Sequence, residues 1–134
     1  MNSTTERKPE SFDWVTARAA CSLARVFEKL KLQIQDDIKA RNALRPPGAH
    51  YAFSVVEGGS KAFSVLVEGK NVHVSVRFDL DDEKISVYSK DGVTFTGTVT
   101  LCDDGECRVK IGDQEHDLWQ VRKMALEDLF FRAY

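Results

Sequence analysis

Residues 102–107 read CDDGEC, and no other stretch has side chains so suited to chemistry. Two thiols bracketing three carboxylates could hold a metal ion or cycle between dithiol and disulfide. Strand register decides between these roles and none. If Asp104-Gly105 formed a two-residue turn, Cys102 and Cys107 would be cross-strand neighbours, close enough to join. That register sets Val99 opposite Lys110 and Leu101 opposite Arg108. A three-residue turn, Asp103-Asp104-Gly105 with a left-handed glycine, pairs Cys102 with Glu106, Leu101 with Cys107 and Val99 with Val109. It keeps apolar residues together and sends the thiols to opposite faces. The pattern therefore predicts a hairpin tip, with Cys107 a core thiol, Cys102 on the sheet surface, and neither a disulfide between them nor a metal.

The other reactive types are scattered. His50, His73 and His116 lack the close spacing of a zinc site. His73 falls on the outer sheet face beside Leu66 and reads as an exposed histidine. Arg122 lies near the middle of an apolar helical stripe. Its stem can lie on the core with the head in water, or its guanidinium can be buried against a carboxylate of the protein or of a ligand. Lys39, Arg41 and Arg45 stand at the end of a helix, where the dipole favours cations without any nucleic acid. The chain contains no P-loop, dinucleotide fingerprint, serine nucleophile elbow or His-Glu zinc helix.

The elements that position these residues follow from periodicity. Ala20, Leu23, Phe27, Leu30, Ile34 and Ile38 form one stripe of a helix that starts after a Ser11 cap and ends at RPPG, residues 45–48. Trp14, Ala17 and Cys21 lie on nearly the opposite side, so either the helix bends near residue 20 or this patch meets another chain. Such a helix, about 45 Å long if continuous, would project past a sheet. Residues 49–113 switch to period two, giving six strands. Parity places the turns. Gly58-Gly59-Ser60 sets Val55 opposite Phe63, and Gly69-Lys70 sets Glu68 opposite Asn71, Val67 opposite Val72 and Val65 opposite Val74. The connection at 81–84 sets Leu80 opposite Ile85. Lys90-Asp91-Gly92 sets Ser89 opposite Val93 and Val87 opposite Phe95. Asp117, with Gln120 three residues on, starts a last helix whose apolar face holds Leu118, Trp119, Ala125, Leu126, Leu129 and Phe130. Phe131 and Tyr134 lie off that face.

The expected fold is α+β: a long N-terminal helix, a six-stranded antiparallel meander and a C-terminal helix, with both helices on one sheet face. Residues 1–10 read as a flexible polar tail and 11–134 as a single domain. The order of elements resembles helix-grip ligand-binding folds in architecture, which implies an apolar cavity enclosed by sheet and helix.

A chain of 134 residues with 43% hydrophobic and 30% charged residues is the size and composition of one globular domain. Its net charge of -2 argues against a nucleic-acid partner. No apolar run is long enough to span a membrane. An odd three cysteines without a leader point to reduced thiols in the cytoplasm. No cofactor is implied, and the chain leans away from being an enzyme. The leading expectation is a non-enzymatic interaction module and homodimer, using Trp14, Ala17 and Cys21 or the outer sheet face around Leu66 and Tyr88. The alternative is a small-molecule binder whose pocket, between sheet and helices, is lined by Tyr51, Phe53, Phe78, Phe95, Trp119 and Phe130, with Arg122 anchoring an anion.

Overall fold

A computed structural model describes residues 8–70 and 72–132. Residues 1–7 of the expected tail, the Glu68–Asn71 pair, the side chain of Val72 and the position of Tyr134 lie outside what it describes. The fold is α+β: helices α1 (Trp14–Ala20) and α2 (Leu23–Ala43), strands β1 (Tyr51–Glu57), β2 (Ala62–Gly69), β3 (Val72–Leu80), β4 (Ile85–Ser89), β5 (Gly92–Leu101), β6 (Cys107–Ile111) and β7 (Gln114–His116), then helix α3 (Leu118–Phe131). The strands form one antiparallel sheet in chain order, β1 to β7.

The core is the layer between α2, α3 and the inner sheet face. Phe27, Leu30, Ile34 and Ile38 of α2 and Val121, Leu126, Leu129 and Phe130 of α3 meet Phe53, Phe63, Val65, Val67, Phe78, Val87 and Val109 of the sheet. Phe63 stacks on Phe78 with centroids 4.7 Å apart, and Phe27 tilts onto Phe63 at 5.2 Å.

The single long N-terminal helix is in fact two. Asp13, not Ser11, caps α1 by accepting from the Thr16 N–H at 3.0 Å, and Ser22 caps α2 by accepting from the Arg25 N–H at 3.2 Å. Between them Cys21 leaves helical geometry and bonds to Cys107 of β6. This corrects two expectations: the thiols are not all reduced, and Cys21, 1% exposed, cannot serve as an interface residue. At 21 residues α2 is about 31 Å long, close to the nine-residue β3 at about 30 Å, so it does not overhang the sheet.

Every hairpin keeps the apolar face inward, yet the first two registers differ from expectation by two positions. Val55 faces Val65 rather than Phe63, and Val67 faces Val74 rather than Val72. Gly69 is the reason for the second shift. It pairs with Val72 inside the ladder rather than turning, and the position requires glycine because a Cβ there would sit 2.0 Å from the His50 carbonyl oxygen. His73 therefore faces Glu68, not Leu66. Leu80–Ile85 and Val87–Phe95 pair as expected; a bulge after Val87 then sets Ser89 against Gly92 rather than Val93. A seventh strand, β7, follows a Gly112-Asp113 turn that pairs Ile111 with Gln114.

At the outer edge of β1, the side-chain amide of Asn42 at the end of α2 donates to the Phe53 carbonyl at 2.9 Å and accepts from the Phe53 N–H at 3.0 Å. Arg45 donates to the Tyr51 carbonyl at 2.7 Å.

Candidate functional site

The CDDGEC stretch is a hairpin tip, with Leu101 facing Cys107 and Val99 facing Val109. The Gly105 N–H donates to the Cys102 carbonyl at 2.9 Å, and Gly105 has a φ of 85°. Its acids brace the fold. Asp104 accepts two bonds from Arg108, at 3.0 and 2.8 Å, and Arg108 also donates to Asp117 at the start of α3. The tip thereby fixes where α3 begins. The Arg108 guanidinium holds the Asp104 carboxyl below the usual carboxylate range. Burial raises the Cys102 thiol above its ordinary value, against the neighbouring guanidinium. Lys8, inside the stretch read as a tail, pairs with Glu106 at 3.8 Å. Among the described residues no three His, Cys, Asp or Glu side chains cluster as metal ligands.

A more promising place lies between the helices. Asp37, Ala40, Arg41 and Leu44 present one side of α2 and its C-cap; Trp119, Arg122, Lys123, Leu126, Glu127, Phe130 and Phe131 present one side of α3. Together they line an open groove of about 390 Å³. Both sets recur at three- and four-residue spacing, which puts each on one face of its helix. Leu126 and Phe130 are buried, whereas Leu44, Trp119 and Phe131 remain 68%, 54% and 66% exposed. Folding thus leaves three large apolar side chains uncovered around one depression.

Charge inside the groove is nearly matched. Arg122 donates to Asp37 at 2.8 Å and to the side-chain oxygen of Gln33. It holds a carboxylate after all, and that carboxylate belongs to the protein. Lys123 pairs with Glu127 at 3.0 Å. Arg41, 9% exposed, donates from Nε to the Phe130 carbonyl at 2.6 Å and from Nη2 to the Tyr51 hydroxyl at 3.4 Å. Its guanidinium also lies over the rings of Phe53, Phe131 and Tyr51, at 4.9, 5.4 and 5.7 Å. Such cation–aromatic contacts hold a desolvated arginine in place.

The expected ligand residues divide. Arg122, Trp119 and Phe130 line the groove. Phe53 and Phe78 are core residues, and Tyr51 and Phe95 pack half-buried against the core. Of the expected interface residues, Trp14 is 63% exposed, Ala17 is half-buried and Cys21 is in the disulfide. Leu66 and Tyr88 are half-buried on the outer sheet face, where Tyr88 joins Ser75, Arg77, Asp79, Ser89 and Lys90 around a shallow polar depression. Arg45 is engaged by the Asn42 and Tyr51 carbonyls. The residue that sequence reasoning undervalued is Arg41. Its signal was present: it continues the Phe27, Leu30, Ile34, Ile38 stripe at a further step of three.

No family model, characterised protein or solved structure matches the chain.

Proposed function

We propose that the chain is a non-catalytic binding protein and that the α2–α3 groove receives a small apolar molecule. The carrying observation is the groove itself: about 390 Å³, within the few-hundred-Å³ range of small-molecule sites, with a mostly apolar exposed surface and charged residues set among it. Among the described residues no serine, threonine, cysteine or histidine lines it, which favours binding over nucleophilic catalysis. Trp119 provides the readout. In a Trp14→Phe variant it is the remaining tryptophan of two. Titration with the neutral dye N-phenyl-1-naphthylamine should quench Trp119 saturably, and Ala40→Phe, which fills the groove from an exposed position without adding a tryptophan, should abolish the effect without lowering the melting temperature. Quenching that never saturates, or that survives Ala40→Phe, refutes the assignment.

A second reading, a homodimer through α1, is favoured by one observation. Trp14 and Val15 are 63% and 59% exposed on a helix that buries none of its residues. Sedimentation equilibrium tests it: a dimer in the wild type that Trp14→Ser converts to monomer supports it, and a monomeric wild type refutes it. The Cys21–Cys107 bond favours an oxidising compartment over the cytoplasm expected from cysteine count.

A further inference from the structure

We infer that the groove selects ligands bearing a single carboxylate and that Arg41, not Arg122, receives it. The inference rests on the binding role proposed above and adds the chemical class of the ligand. Five charged residues line the groove. Arg122 is matched by Asp37 and Lys123 by Glu127, which leaves Arg41 as the one lining cation without a carboxylate within salt-bridge distance among the described residues. One uncompensated positive charge beneath an apolar rim is complementary to an apolar body with one negative charge.

Donor geometry agrees. A guanidinium carries five N–H donors. Arg41 directs Nε to the Phe130 carbonyl and Nη2 to the Tyr51 hydroxyl, and among the described residues Nη1 has no hydrogen-bond partner. Among the described residues no enclosed side-chain nitrogen or oxygen is left without a partner, and Arg41 is one of the residues that line the groove. The stem is fixed by the two existing bonds and by the rings of Phe53, Phe131 and Tyr51. A carboxylate arriving there meets a pre-set, charge-assisted donor whose ordering cost folding has already met. Arg122 differs in charge rather than in donor count: Asp37 already neutralises it, so a ligand carboxylate there would meet a carboxylate of the protein.

The test compares two probes of nearly one shape on the full-length Trp14→Phe chain: 1-naphthaleneacetate and its neutral amide, 1-naphthaleneacetamide. Trp119 quenching gives both affinities, and the side-chain Nε–Hε resonances of Arg41 and Arg122 report the contact. The acetate is expected to bind at least tenfold more tightly and to shift the Arg41 resonance. Arg41→Gln should bring the ratio near one, and in the Trp14→Phe chain the Arg122 resonance should stay in place. Equal affinities in the Trp14→Phe chain, or a shift confined to Arg122, overturn the inference while leaving the groove intact. Failure of both probes and of the neutral dye removes the groove reading as well. Should Arg41→Gln not fold, the affinity ratio and the two resonances in the Trp14→Phe chain still decide.

Discussion

Breaking the Cys21–Cys107 bond is the sharpest perturbation the fold offers. The cross-link joins residues 86 apart, so opening it restores a long loop to the freedom of the unfolded chain. In the loop-entropy treatment that freedom corresponds to about 4.6 kcal/mol at 25 °C. A domain of this size has a total stability of roughly 5–15 kcal/mol, so the loss takes a third of it or more. With an unfolding entropy near 2.1 cal/mol/K per residue, the melting temperature should fall by about 16 °C. Residual structure in the unfolded chain lessens the effect, and roughly 10 °C is the lower expectation. Cys21→Ser, and the wild type reduced with a phosphine, should show matching decreases by circular dichroism. Alkylation in denaturant supplies the covalent count: the chain has three cysteines and Cys102 is free, so one label should be found before reduction and three after it. Three labels without reductant, or a Cys21→Ser shift below about 2 °C, would refute the reasoning.

Three further predictions concern other parts of the fold. Gly97 of β5 lies where a Cβ would approach a methyl of Val109 to 2.7 Å, so Gly97→Ala should destabilise the protein by about 1–3 kcal/mol in urea unfolding. Cys102, its thiol raised by burial and bonded to Glu115 at 3.2 Å, should react with iodoacetamide several-fold more slowly in the folded protein than after denaturation, at pH 8. The pKa of Asp104 is lower folded than unfolded, so its contribution is complete above the ordinary carboxylate value of about 4 and is lost as pH falls through the folded value. The melting-temperature advantage of wild type over Asp104→Asn should thus be flat from pH 5 to 8 and shrink below pH 4.

The legibility of this sequence follows the range of the forces involved. Period-two alternation and the Gly105 turn act between neighbours, and they correctly place the strands and separate Cys102 from Cys107. Parity fails where a slip of two keeps the same face inward, and Val55 and Val67 are misregistered for that reason. The partner of Cys107 was illegible because residue 21 comes near only after helices and sheet have packed. The break at Cys21 was half legible, since Ser22 is a good cap but Ala20 seemed to extend the stripe; Ala20 is exposed at the end of α1. The groove belongs to neither helix alone. It arises where Asp37 meets Arg122 and, one turn later, Arg41 meets Phe130. Trp119, read as an inward residue, faces outward at that meeting.

A meander that never closes has two free borders, each a template on which another chain could add a strand. One is the three-residue β7, too short to recruit much. The other begins at Tyr51, and there Asn42 and Arg45 already occupy hydrogen-bonding positions of Tyr51 and Phe53 that an incoming backbone would need. A side-chain amide imitates a peptide group from its own helix. Losing Asn42 would thus threaten solubility before it threatened the fold, exposing a seed for fibre growth.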